Sequence, residues 1–502
     1  MTKFVNTFFE KIQNSFSPPP SLAKVPCPSY NIVMIIRQEG FPMIDLNNIM
    51  RYHENNRIEA KKAAGGFPTS LWETYSAFAN TIGGLILLGV EESRDKNFTI
   101  TGVPDAQGYA ETIRQTVQDP GQVSVNILRP EDVAIHTIDE KDVLVVHVPR
   151  ADRRQRPVYV GDSPFTGSYR RDGEGDYHCS PDEVRAMLRD REDAPADLTV
   201  LEGRSLEDLS PDTLRQFRLQ MVMRQTDHPW NQLPDQDFLA AAGAAGYGKD
   251  GQLHPTLAGI LLLGKRSAIR EIFPHCKITY EETDTGFTLA THRLENPENL
   301  FDFYQAVARR LDAAAALLSQ DTAARQDLAA AMKEAVMNAI LHADYFAPGG
   351  LTIRRTDDTL QVENPGLLRV NPNQAQSGGS ADPRNRTLTG LFSLVRLATG
   401  QGHGLKGIFK TWANRGWHTP TLSEGFKTGI TSLSLPLPHR TFSQEEMTRQ
   451  LIAEYLTDQV ADDANGIAKA LGLTHREIRP ALDALLEQEL IVEDPKGFRL
   501  RA

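Results

Sequence analysis

Between Asp327 and Tyr345 the segment DLAAAMKEAVMNAILHADY is alanine and aliphatic on nearly every side, yet Glu334, Asn338 and His342 recur at every fourth position. At 3.6 residues per turn these three share one face of a helix. A helix that is apolar on its other faces belongs in a core. Polar groups carried into a core must find partners. The chain is therefore expected to pack around this helix while leaving its polar stripe open to a ligand.

At 502 residues the chain has room for three or four domains. A hydrophobic share of 40% and a charged share of 24% are those of a globular protein. The longest apolar runs, LILLGV and AGILLLG, are too short for a bilayer, so no membrane partner is expected. Cys27, Cys179 and Cys276 are three in number and far apart, which suggests neither a disulfide framework nor a zinc site and points to a reducing cytoplasm. With a formal net charge of −11, any contact with nucleic acid needs a local basic patch.

Residues 1–42 contain SPPPSLAKVPCPSY, whose prolines oppose both helix and central strand. They read either as a disordered leader or as a misassigned start, with RQEGFPM the translation of a ribosome-binding sequence before Met43. Either way this segment is expected to carry no packed structure.

A βα-alternating unit is expected over 43–192. It opens on a short helix ending near Glu54, and Asn55–Asn56 supply turn geometry. RIEAKKA then alternates, so Arg57, Glu59 and Lys61 share one strand face while Ile58 and Ala60 point to the core. Glu54 and Glu59 are five positions apart, about 140° on a helix. The Asn–Asn turn could nevertheless fold Glu54 back over the strand. Ser70 with Glu73 fits a capping box for a helix running to Asn80, and LILLGV reads as a buried strand ending at Glu91 and Glu92. Further strands are expected at about 123–128, 131–138 and 142–149, and Ser180, Pro181 and Glu183 announce a helix start. Glu54, Glu59 and Glu92 could together hold Mg²⁺ or Mn²⁺, hard cations suited to carboxylate oxygens. Lys61 beside them could neutralise a phosphodiester transition state. The alternative is a plain Glu59–Lys61 pair on an exposed strand. Arg150, Arg153, Arg154 and Arg156, with Tyr169, Arg170 and Arg171, are either a nucleic-acid contact surface or a solvated charged face.

The two stretches ENNRIEAKKA and AFANTIGGLILLGVEE resemble the AlbA-like nucleic-acid-binding domain of the Schlafen family. In Schlafen nucleases that cut transfer RNA, two such glutamates and an acidic residue after the glycine–valine form the active site. The resemblance thus implies catalytic and metal-binding roles for Glu54, Glu59 and Glu92, with glutamate at the third position where those nucleases carry aspartate. Many bacterial relatives with this pattern are DNA-binding or regulatory proteins.

A polar linker and a connecting domain are expected over 193–320, then a third unit over 321–440 opened by the polar-striped helix. MKEAVMNAILHADY resembles the first ATP-binding motif of the GHKL ATPase fold. That resemblance implies Glu334 as the residue polarising an attacking water and Asn338 as the Mg²⁺ ligand, with His342 beside them. VENPG, carrying Glu363, Asn364 and Gly366, stands where the fold keeps its adenine-binding aspartate motif, here altered. GQGHGLKGI, with Gly400, Gly402 and Gly404, stands for the phosphate loop, and DPRNRTL between them adds Arg384. There is no Walker lysine motif, so helicase activity is unsupported.

Residues 441–502 read as helices followed by two short strands, a winged-helix pattern. Arg476 and Arg479 lie early in its last helix, where base contacts would be made, though dimerisation explains the element equally well. The expected fold class is therefore α/β (α+β) multidomain: an AlbA-like Schlafen core, a GHKL-like ATP-binding sandwich and a C-terminal winged helix. The expected function is nucleic-acid binding governed by ATP, with RNA or DNA as partner and a homo-oligomer as the assembly. The leading form is a metal-dependent nuclease acting on RNA, plausibly in defence. The other is an ATP-sensing DNA-binding regulator without catalysis.

Overall fold

The computed structural model describes residues 55–501 apart from 285–289, 296, 320, 380, 401, 439–447, 450, 454, 457–460, 489 and 496. The leader and Glu54 lie outside the described residues.

Strand β1 (Ile58–Lys61) buries Ile58 and puts Glu59 and Lys61 on one face, where they pair at 2.9 Å, while Ala60, expected in the core, stays partly exposed. It is followed by helix α1 (Leu71–Asn80), whose residues are buried except Glu73. The capping box expected at Ser70 does not form: Ser70 is itself in helical geometry and makes no side-chain cap. Strand β2 (Gly84–Leu88) is buried along its whole length. A Cβ at Gly84 would sit 2.6 Å from the Phe78 ring, so glycine lets α1 lie against the sheet. Gly89, at φ +88, then turns the chain out of β2 into strand β3 (Val90–Glu92). That short strand pairs antiparallel with β4 (Phe98–Ile100) rather than extending the main sheet.

Strands β5 (Val133–Ile138) and β6 (Lys141–Val148) complete a four-stranded sheet in the order β1-β2-β6-β5, with only β1 and β2 parallel. Residues 123–128, expected as a strand, contribute one isolated bridge at Val123. A hairpin of β7 (Tyr169–Asp172) and β8 (Gly175–His178) lies over α1. Helix α2 (Pro181–Arg191) starts with a reciprocal capping box, Ser180 Oγ accepting from Glu183 N at 3.3 Å and Glu183 Oε2 accepting from Ser180 N at 2.6 Å. Ser180→Ala should cost about 1 kcal/mol of stability, measured by denaturant unfolding.

The second part of the chain does not divide at 320. Its six-stranded sheet draws on β9 (Lys277–Asp284), β10 (Ala290–Glu295), β11 (Gly350–Arg355), β12 (Thr359–Pro365), β13 (Thr421–Gly425) and β14 (Ile430–Pro436). The spatial order is β10-β9-β11-β12-β14-β13, with β9 and β11 parallel. Two strands thus come from the segment read as a connecting domain. One apolar core runs from Leu209 to Leu437, so residues before and after 320 fold together. Within it, PTLAGILLLGK supplies a wholly buried helix, α3 (Leu257–Leu263). Helix α4 (Leu300–Leu318) packs on α5 (Thr322–His342), the polar-striped helix, which in turn lies on β12. The C-terminal tail closes a separate small core around Ile467, Ile478, Leu482 and Phe498.

Two further helices are α6 (Arg386–Leu394) and α7 (Gly404–Arg415). The tail consists of α8 (Ala464–Leu471), α9 (His475–Glu487) and a hairpin of β15 (Ile491–Asp494) with β16 (Gly497–Leu500). Among the described residues no helix is long and apolar enough to cross a membrane.

Candidate functional site

The stripe on α5 faces a cavity of about 140 Å³, lined by Glu334, Asn338 and His342 on one side and by Gly400, Gly402 and Gly404 opposite. Asn364 and Gly366, at the end of β12, form its floor. Three separated sequence segments therefore meet at one opening. Gly400 and Gly402 have positive φ of 64° and 68°, and a Cβ at Gly404 would collide with the Glu334 carboxyl. Only glycine lets the first turn of α7 come this close to Glu334.

Burial pushes the Glu334 carboxyl above its ordinary pKa, and the neighbouring Asn338 amide works against that rise. Asn338 Nδ2 is buried in the cavity wall beside the Glu334 carboxyl and makes no hydrogen bond of ordinary geometry among the described residues. Burial first, then the charges of Arg384 and Arg369, hold the His342 imidazole down to about 4. A buried amide, a raised carboxyl and a glycine cradle fit a nucleotide with Mg²⁺. Asn338 offers a hard amide oxygen for the ion, and the side-chain-free backbone at Gly400, Gly402 and Gly404 offers room for phosphates.

Two expected nucleotide contacts lie elsewhere. Strand alternation turns Val362 and Asn364 inward and Glu363 outward, where Arg354 holds it at 2.9 Å. Arg384 is bound on all sides: to Asp190 at 2.8 and 2.7 Å, to Leu367 O at 2.9 Å and to His342 O. It anchors the end of α5 rather than reaching into the cavity. Beside it Asn385 donates to Ala343 O at 2.8 Å and Leu341 O at 3.1 Å, closing the carbonyl end of the same helix.

In the AlbA-like part, Glu59 holds two cations. Lys61 Nζ lies 2.9 Å from its Oε1, and Arg171 Nη1 lies 2.9 Å from its Oε2. Arg171 also meets Asp176 at 3.0 Å and donates to Asn55 O at 2.9 Å, with its side chain 1% exposed. Neighbouring Glu91 pairs with Lys62 at 3.0 Å. Glu92 follows on β3, the strand that Gly89 turns away from the main sheet. Among the described residues no group of three or more His, Cys, Asp or Glu is placed to hold a metal ion, and Glu54 lies outside them.

The basic stretch is mostly interior, a correction to its reading as a surface. Arg150 grips Glu424 through two hydrogen bonds, including Nη2 to Oε1 at 3.0 Å, and donates to Leu368 O at 2.8 Å. Arg153 pairs with Asp382 and, at 3.0 Å, with Asp193. Arg150, Arg153, Arg156 and Arg171 are buried, so their charges face the protein rather than a polyanion. Arg170 meets Glu183 at 2.9 Å and lies over the Tyr177 ring, and Tyr169 packs on His178 with ring centres 4.3 Å apart. Arg154 alone of the 150–156 arginines is exposed, and it pairs with Asp193 at 3.0 Å. In the tail Arg476 and Arg479 are exposed, Arg479 pairing with Asp483 at 3.1 Å.

Asp190, Arg369, Asp382 and Glu424 are structural partners that sequence reasoning did not single out. Their cross-seam partners lie far away in the chain; only Asp382 also has a near one, Arg386 at 3.0 Å.

Residues 54–180 match the family model described as "Schlafen, AlbA_2". Residues 349–428 match "Putative ATP-dependent DNA helicase recG C-terminal", and residues 185–279 match "Domain of unknown function (DUF8451)". Among solved structures the chain is similar to the N-terminal domain of a putative ATP-dependent DNA helicase RecG-related protein from Nitrosomonas europaea. That match has 32% identity and a TM-score of 0.21, and covers 26% of this chain and 88% of that one. It is also similar to the DIP2311 protein from Corynebacterium diphtheriae, at 17% identity and a TM-score of 0.38, covering 89% of this chain and 92% of that one. No curated protein matches the chain.

Proposed function

We propose that this chain, which belongs to the Schlafen AlbA_2-domain family, is a nucleotide-binding regulator whose AlbA-like part engages nucleic acid. The observation that carries the reading is the meeting of Glu334, Asn338 and the 400–404 glycines around one cavity. Mg-ATP bound there would touch α5 and the end of β12. Both run directly into the arginine–carboxylate contacts that join the two parts of the chain, Arg384 to Asp190 and Arg150 to Glu424. Occupancy of the cavity would thereby be felt by the AlbA-like part. The tail, read as a winged helix, would add Arg476 and Arg479 as exposed contacts to DNA.

Glu59 supports the regulator over the nuclease. With both oxygens held by Lys61 and Arg171, it is a neutralised group in a structural network. To serve a metal it would have to abandon two cations.

Calorimetric titration with Mg-ATP tests the nucleotide site. The parent protein should bind, and Asn338→Ala should lose at least about thirtyfold in affinity, near 2 kcal/mol, while remaining folded. Duplex DNA and structured RNA binding should then change at least about fivefold on adding Mg-ATP, the range of ordinary coupling. Equal ATP affinity in Asn338→Ala would overturn the site. Mn²⁺-dependent degradation of either nucleic acid that stops in Glu59→Gln would replace the regulator with a nuclease.

A further inference from the structure

A second cavity, about 430 Å³ in volume, lies between the AlbA-like part and the ATPase-like part. Its walls include Arg156 and the start of α2 on one side, and Gly366 with the 426–429 turn on the other. Its size is that of a small-molecule site.

The charges around it are almost all matched. Arg384 is bonded to Asp190, Arg170 to Glu183 at 2.9 Å, and Arg153 to Asp382 and Asp193. The remaining acids are also taken, Asp344 by Arg189 at 2.6 Å and Asp182 by Arg185 at 2.7 Å. Arg156 is the exception. It is 5% exposed and forms no salt bridge among the described residues, although the carboxylates of Asp190 and Glu424 are near enough to act on its charge. Its Nε has no partner among the described residues, and its Nη2 reaches only Leu368 O, at a long 3.5 Å.

A guanidinium carries five donors and a permanent charge, so burying one without a counter-ion is costly. Burial first, then the like charge of Arg150, lowers its pKa to about 10, although the carboxylates of Asp190 and Glu424 act to raise it. Exposed Lys427, at the rim on the 426–429 turn, adds a second positive charge.

We propose that this interdomain cavity binds a small phosphorylated anion, no larger than a mononucleotide, whose phosphate pairs with Arg156. Guanidinium and phosphate match in charge and in planar two-point geometry. Such a ligand would touch both parts of the chain at once, and its site is separate from the Asn338 cavity. The proposal does not rest on ATP binding there.

The test is thermal unfolding of the full chain with and without millimolar inorganic pyrophosphate, backed by calorimetry. Pyrophosphate should raise the melting temperature of the parent by several degrees. Arg156→Met, which removes the unpaired charge and keeps the apolar stem, should melt at or above the parent when no anion is present. It should also lose the pyrophosphate shift. Arg156→Lys should keep part of the shift. Asn338→Ala should keep all of it, which separates this site from the nucleotide cavity.

Lys427→Glu lies on an exposed turn and should weaken pyrophosphate at least about threefold by reversing a rim charge. An Arg156→Met protein that fails to fold, or that melts well below the parent, would make Arg156 a structural group and overturn the proposal. So would an undiminished pyrophosphate shift in Arg156→Met, or unchanged affinity in Lys427→Glu.

Discussion

Asp190→Ala is expected to destabilise the protein by about 3–5 kcal/mol, the cost of leaving a buried arginine without its carboxylate. Asp190 sits in the last turn of α2 and receives Arg384 at 2.8 and 2.7 Å, while its own carbonyl accepts from Arg153 at 2.7 Å and Arg369 at 3.0 Å. Burial by itself would raise the Asp190 carboxyl, but Arg384, then Arg369 and Arg156, override it and hold the pKa below the ordinary value. The substitution strands Arg384, which otherwise bonds only to backbone carbonyls. Denaturant unfolding measures the loss. A double variant, Asp190→Ala with Arg384→Met, should recover much of it, because the stranded charge is gone. Equal stability of the single and double variants would mean that the cost lies in packing, not charge.

The second large effect is a loss of stability in mild acid. His342 titrates at about 4 in the folded chain against 6.5 when unfolded. Between those values the unfolded state binds the additional proton, so stability falls as pH falls from 6.5 toward 4. Below about 4 both states are protonated, and this contribution does not fall further. The full change is up to about 3 kcal/mol. Asp190 acts in a lower window: its depressed pKa contributes stability above 3.8 that is lost as pH drops through the folded value. Unfolding free energies measured at pH 7.5, 5.5 and 4.5 should decline in the parent. His342→Gln should flatten that decline while leaving the loss below pH 3.8. A decline of equal slope in the variant would assign the proton to another group.

Local rules were legible in the sequence and long-range ones were not. The shared face of Glu59 and Lys61 on β1, the Ser180–Glu183 box and the stripe on α5 all follow from neighbours within four residues. Ser70 failed although its spacing to Glu73 was right, because the helical turn already includes it. The side on which Glu363 and Asn364 point could have been read from alternation alone, since Leu360 and Val362 fix the inward face. The arginines at 150–156 could not. A basic run looks alike whether it meets water or carboxylates, and Glu424 and Asp382 lie more than two hundred positions away. The boundary at 320 misled for a similar reason: β9 pairs with β11 across the whole of α4 and α5, and no local pattern announces that pairing.

The ion pairs between the AlbA-like and ATPase-like parts also bear on how such a chain can change by descent. Arg150 with Glu424, Arg153 with Asp382 and Arg384 with Asp190 each have one member on either side of the seam. Losing a member weakens the compensation of a charge held in the interior, so a lone substitution should cost stability where a matched pair of substitutions costs less. Exchange of one part for its counterpart from a distant relative would break all three at once. Such an exchange would have to carry matched changes on both sides of the seam to keep the two parts joined.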